Sequence, residues 1–156
     1  MHETQVKVRP TQVDTFGHMN HAAYLEVFEW ARWEWAAAQG MDLARMAAED
    51  RIGPAVLHVD LTFLKELRMH DEVCVRTWVA SLARVKGVMG QELVLDDGVV
   101  AARMFLTFAI FHLDKRRAIA LPDWLQAASD ADADYRQQRA AEQARRPYKR
   151  KGSDQG

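Results

Sequence analysis

Residues 14–32 read D-T-F-G-H-M-N-H-A-A-Y-L-E-V-F-E-W-A-R, a turn that becomes a helix. Residues 11–20 are rich in turn formers, whereas Tyr24, Val27, Phe28, Ala31, Trp35 and Ala38 recur at three- and four-residue steps. With 3.6 residues per turn, that spacing places all six on one stripe of a helix. The expected helix covers residues 21–39, with Gly40 as its stop. Glu26, Glu29 and Trp33 fall on the opposite side, which is therefore not uniformly polar and could meet a partner subunit.

Upstream of this stretch, Val6 and Val8 alternate with Gln5, Lys7 and Arg9, the pattern of a short half-buried strand before Pro10. Downstream, Asp42 is positioned to cap a second short helix running through Leu43 and Met46 until Gly53-Pro54 breaks it. From Ala55 the period changes to two, with Ala55, Leu57, Val59, Leu61 and Phe63 on one face of a long strand. Residues 65–70 connect it to a strand in which Val73, Val75, Thr77 and Val79 alternate with Glu72, Cys74, Arg76 and Trp78. A third long strand is expected from about Arg84 to Leu95, with Gly87 and Gly90 as bulges or bends. Asp96-Asp97-Gly98 is a hairpin turn, because Asp-Gly tolerates the positive φ angles of tight loops. The fourth long strand, residues 99–113, is apolar on both faces over its second half, as expected inside a sheet. Leu121-Pro122 leads into a C-terminal helix. Helices and strands segregate along the chain, which predicts an α+β fold with a largely antiparallel sheet.

The chain has 156 residues, 49% hydrophobic and 28% charged, the composition of one globular domain. Charged residues interrupt the apolar stretches well before the ~20 residues of a membrane span, and the N-terminus has no signal-peptide run, so a cytoplasmic protein without a membrane partner is expected. The lone Cys74 cannot close an internal disulfide. Residues 1–128 carry 14 basic and 17 acidic side chains. Between 136 and 151 lie Arg136, Arg139, Arg145, Arg146, Lys149, Arg150 and Lys151 against Glu142 alone. The expected division is a domain at 1–128 and a polar, basic, flexible tail at 129–156. No nucleic-acid partner is expected for that tail.

The densest group of reactive side chains is the turn before the long helix: Asp14, Gly17, His18, Asn20 and His21. A carboxylate and imidazoles stand there beside the unpaired N–H groups and positive dipole end of a helix, where developing negative charge is favoured. That is a layout for acyl transfer. Gly17 allows a sharp turn or a close approach to substrate. Asn20 suits the N-cap position. Asp14, His18 and His21 have no fourth ligand nearby, so no metal site is expected. No G-x-S-x-G elbow, phosphate-cradling loop or dinucleotide fingerprint occurs, and no cofactor is expected.

Val8-Arg9, then D-x-x-G-H-x-N-x-x-x-Y-L, then E-x-A-R resembles the hotdog-fold acyl-CoA thioesterases of the 4-hydroxybenzoyl-CoA thioesterase family. Residues 60–65 and 71–76 resemble that family's second strand and the strand after it, and Leu121-Pro122 with its helix resembles the C-terminal signature. The resemblance covers roughly residues 6–128. It implies a hotdog fold, a long central helix wrapped by a five- to six-stranded largely antiparallel sheet. It also implies hydrolysis of a small or medium acyl-CoA to free acid and CoA, in a homodimer or a dimer-of-dimers tetramer.

By the same resemblance, Asp14 acts on the thioester as nucleophile or general base, and the His21 backbone N–H polarises the carbonyl. Tyr24 faces the acyl pocket, and His18 either takes part in catalysis or holds the turn through a hydrogen bond. Lys65, Arg84 and Lys86 are the candidate cations for the CoA nucleotide. Two other functions remain open on this fold, a non-catalytic acyl-CoA or small-molecule binder and a dehydratase.

Overall fold

The computed structural model describes residues 1–145. Strand β1 (His2–Lys7) leads through a 3₁₀ turn at Pro10–Gln12 into helix α1 (His21–Ala38). Helix α1 stops where expected, with Gly40 at φ 77°. A single turn, α2 (Leu43–Arg45), is capped by the Asp42 carboxylate and continues as a wider π turn over Met46–Asp50. Then come β2 (Ile52–Phe63), β3 (Glu72–Leu82), β4 (Gly87–Leu95), β5 (Val100–His112) and the short β6 (Arg117–Ala118). Helices α3 (Asp123–Ala131) and α4 (Ala133–Arg145) follow. The strands form one antiparallel sheet in the order β1-β3-β4-β5-β2, with β6 on β5.

The apolar stripe of α1 lies on one face of this sheet. Ala23, Tyr24, Val27, Phe28, Ala31, Trp35 and Ala36 are buried against Val73, Val75, Leu93, Met104, Leu106 and Phe108. A polar strut crosses this interface: the buried Gln91 side chain donates to the Phe28 carbonyl and to Thr77, and accepts from Arg32 at 3.0 Å.

Four expectations change. Gly53-Pro54 does not end a helix; it lies inside β2. Arg51, in the left-handed region at φ 55°, stops the preceding turn, and β2 tolerates a proline because, among the described residues, it is an edge strand paired only with β5. The alternation within β2 also slips, at a bulge between Val56 and His58. Gly87 and Gly90 are not bulges. A Cβ at Gly90 would collide with the Trp78 indole and one at Gly87 with the Phe108 ring, so both glycines make room for aromatic rings.

Finally, the boundary expected at residue 128 falls inside α3, and residues 133–145 form α4 on the sheet face opposite α1. Tyr135 packs edge-on against Trp78 at 5.2 Å, and Arg139 pairs with the fully buried Glu92, which also receives Arg103 at 2.6 Å. Asp132, at the α3–α4 junction, accepts from the Val79 amide at 2.7 Å. Two charges of the expected polar tail, Asp132 and Arg139, thus become partners of buried sheet atoms. Arg146, Lys149, Arg150 and Lys151 lie outside the described residues.

Candidate active site

The loop ahead of α1 is built by its own side chains. Val13 and Met19 bridge across it, and the Asp14 N–H donates to the His18 carbonyl at 2.9 Å. The Asp14 carboxylate accepts from the amides of Phe16 (2.9 Å) and His18 (3.3 Å) through a single oxygen, Oδ1. Gly17 sits at φ 80°, the left-handed conformation that glycine adopts without steric cost. Asn20 is the N-cap: its side-chain oxygen accepts from the Ala23 amide at 2.9 Å. Its amide nitrogen donates to the Gln12 carbonyl, which also accepts from the Asn20 backbone. The loop is therefore tied directly to the first turn of α1.

The segment after β2 holds the loop from the other side. Met19 donates to the Leu67 carbonyl at 2.7 Å, and His18 forms a bridge with Arg68. The half-buried His18 turns its Nε2 to Glu66 at 3.1 Å. Glu66 is paired in turn with Arg68 at 2.9 Å. The Arg68 guanidinium holds the Glu66 carboxyl below the usual carboxylate range, and the charge of His18 acts in the same direction.

These elements enclose an open cavity of about 450 Å³. Asp14, His21 and Tyr24 line it with Met19, Phe63, Leu64, Lys65 and Glu66. Tyr24 is buried, its ring edge-on to Phe63 at 5.0 Å, and burial raises its phenol above the ordinary value. His21 opens α1, so the free amides of the first helical turn face the same region as the carboxylate. A carboxylate, the positive end of an 18-residue helix and an apolar wall converge here. Such a set can bind a carbonyl group, stabilise an oxyanion and attack or activate water.

Of the other candidate residues, Lys65 lines the cavity and lies 3.7 Å from Asp97. Arg84 and Lys86 are not brought to it. They occupy the exposed turn between β3 and β4, next to the Leu82–Gly87–Phe108 end of the sheet, whereas Leu64 and Lys65 hydrogen-bond to Ala101 at the other end. Seven residues of β5 separate those ends, about 23 Å at 3.3 Å per residue. Sequence reasoning missed Glu66, whose only local signal is a charged position in a connection. It acquires a role because antiparallel bridging sets residues 66–68 beside residues 18–19. Among the described residues, no group of three or more His, Cys, Asp or Glu side chains is arranged to hold a metal ion. No helix there is long and apolar enough to cross a membrane.

A long helix crossing a curled antiparallel sheet, with a carboxylate-bearing loop at its N-terminus, defines the hotdog class of thioesterase-like proteins. The chain belongs to the thioesterase-like superfamily, whose family model matches residues 8–129. It is 28% identical over 120 residues to the long-chain acyl-CoA thioesterase FadM of Escherichia coli strain K12, a match covering 76% of this chain and 89% of that protein. It is 30% identical over 120 residues to the chloroplastic acyl-acyl carrier protein thioesterase ATL3 of Arabidopsis thaliana, covering 76% of this chain and 53% of that one. The crystal structure of the probable thioesterase YbaW from Escherichia coli superposes with a TM-score of 0.71 at 27% identity, covering 81% of this chain and 94% of that one.

Proposed function

We propose that this protein is an acyl-CoA thioesterase that uses the Asp14 cavity. The observation that carries the reading is the convergence of the Asp14 carboxylate and the start of α1 on one cavity with an apolar wall. A thioester carbonyl held at the helix start points its oxygen at the His21 amide, where the dipole stabilises the oxyanion. Asp14 then acts by one of two routes. It attacks the carbonyl carbon, expels the thiolate and leaves a mixed anhydride that water hydrolyses; or it takes a proton from a water that attacks directly. The leaving thiol has a pKa of ~8.5, so its departure needs little protonation.

His18 is a positioning residue in this reading. Its contact with Glu66 locks the Asp14 loop against the segment after β2. The carrier is CoA, in line with a relative named for acyl-CoA that this chain covers over nearly its full length. The working unit is a homodimer paired along β2. That edge strand leaves Val56, Leu57, Val59 and Phe63 exposed beside unpaired backbone groups, the combination that another strand covers. In such a pair, cations remote within one protomer, Arg84 and Lys86, come from the partner side to meet the nucleotide.

The test is thiol release from short, long, aromatic and cationic acyl-CoA esters by wild type and Asp14→Asn. Asparagine keeps an acceptor oxygen for the Phe16 and His18 amides, so the variant retains the loop while losing the carboxylate. It is expected to fold, dimerise and turn over at least ~100-fold more slowly. Activity close to wild type in Asp14→Asn would eliminate this mechanism. Saturable binding of esters by wild type with no thiol released would instead establish a non-catalytic acyl-CoA binder, a reading favoured by the two backbone bonds that already occupy Asp14 Oδ1.

A further inference from the structure

A separate cavity of about 290 Å³ lies at the other edge of the sheet, where β1 meets the Trp30 side of α1. Lys7, Arg9, Trp30 and His70 line it, and it shares no lining residue with the Asp14 cavity. Its charge is of the opposite kind. Asp14 and Glu66 line the first cavity, whereas among the described residues no carboxylate lines this one. Lys7 is paired with Glu72 at 3.3 Å, but both side chains are more than half exposed, so solvent weakens the contact and a bound anion can replace it.

The backbone adds donors to these cations. Among the described residues β1 pairs only with β3, so its other side is an open edge. Val8 turns both of its backbone groups toward the paired side: its N–H donates to the Asp71 carbonyl at 2.9 Å, and its carbonyl accepts from the His70 amide at 3.0 Å. In an antiparallel ladder that direction alternates from one residue to the next. The N–H groups of Gln5 and Lys7 therefore point to the open edge, and both residues line the cavity. Trp30 supplies an aromatic surface there, with 45% of the residue exposed. His70 presents its imidazole from the left-handed region at φ 73°, a conformation that glycine adopts without steric cost. A side chain held at that cost is a form of strain that binding sites carry.

We infer that this cavity is a second ligand site, which takes a planar aromatic ring bearing a carboxylate or phosphate group. The ring stacks on the Trp30 indole. The anionic group meets the Arg9 guanidinium, whose planar fork matches either oxyanion, with the Lys7 ammonium and the open-edge amides beside it. The space is about twice the ~150 Å³ that accepts a benzene-sized guest, enough for a ring and its anionic group together. The ligand is not the compound on which Asp14 acts, and the inference stands apart from the thioesterase reading.

The experiment titrates the full chain with benzoate, phenyl phosphate, cyclohexanecarboxylate and inorganic phosphate, following the indole N–H signals by two-dimensional NMR. The Trp30 signal is assigned by its absence in Trp30→Leu. Benzoate, phenyl phosphate or both should shift that signal saturably, and the one that does so identifies the anionic group. Cyclohexanecarboxylate and inorganic phosphate, which lack the ring, should bind about 5-fold more weakly or not at all. Arg9→Gln should weaken binding at least ~10-fold, and Lys7→Gln, a second exposed substitution, should weaken it in the same direction. Asp14→Asn, in the other cavity, should leave it within about twofold of wild type. A Trp30 signal that neither aromatic anion moves would refute the site. Binding undiminished in both Arg9→Gln and Lys7→Gln, or lost in Asp14→Asn, would place the ligand elsewhere and refute it equally.

Discussion

Asn20 couples the stability of α1 to the geometry of the Asp14 loop, and two substitutions separate those contributions. In Asn20→Ala the cap bond to the Ala23 amide is lost, a loss of about 1 kcal/mol at a typical N-cap. The donation to the Gln12 carbonyl is lost as well, but that oxygen keeps the Asn20 backbone amide at 2.9 Å, so the second loss is only about 0.5–1 kcal/mol. For a chain of this length the sum of about 1.5–2 kcal/mol lowers Tm by about 3–8 °C.

Asn20→Asp keeps the cap and adds a negative charge at the helix start, which favours the helix by about 0.3–1 kcal/mol. It loses the bond to Gln12, so its net stability should stay near wild type. Activity should nevertheless fall, because the new charge at the helix start opposes the oxyanion and the loop loses one of its two bonds between Asn20 and Gln12. Thermal unfolding followed by circular dichroism, beside thiol-release kinetics on the same samples, reads both effects. An unchanged Tm in Asn20→Ala, or full kcat/KM in Asn20→Asp, would refute the assignment of Asn20 as the link between helix and loop.

Two further predictions concern the face under α4. Gly90→Ala places a Cβ into the Trp78 indole, which is held between Tyr135 and Phe105 and cannot retreat, so a destabilisation of about 2–3 kcal/mol is expected in urea unfolding; wild-type stability would show that the ring is free to move. Burial, with the Glu92 charge adding to it, pushes the Tyr135 phenol up to about 12. Because the folded state favours the neutral phenol, its contribution is complete below pH ~10 and lost as pH rises from there toward the folded value. Absorbance of tyrosinate should show a late-titrating fraction that shrinks in Tyr135→Phe, the buried Tyr24 supplying part of what remains, and identical titration curves for the two proteins would contradict the packing of Tyr135 on Trp78.

The sequence by itself determined the parts that depend on neighbours in the chain. Helix α1, its Asn20 cap and its Gly40 stop were legible because apolar spacing, capping and backbone freedom act within a turn or two. The strands, the Asp97-Gly98 hairpin and the clustering of Asp14, Gly17 and His21 before a helix were legible for the same reason. The tertiary structure alone decided the rest, because each remaining feature joins residues distant in sequence. The β2 bulge follows from register against β5, and it alone aligns Phe63 with Val56. Gly90 is a glycine because Trp78 lies across it. Residues 133–145 look like a solvated extension until Glu92, buried at mid-sheet, supplies the partner for Arg139. Glu66 meets His18 only when two loops bridge, and Arg84 and Lys86 lie at the far end of the sheet from Asp14 because β3 and β4 run its full length. Local patterns record what a residue prefers, but desolvation and close packing select which distant residue it meets.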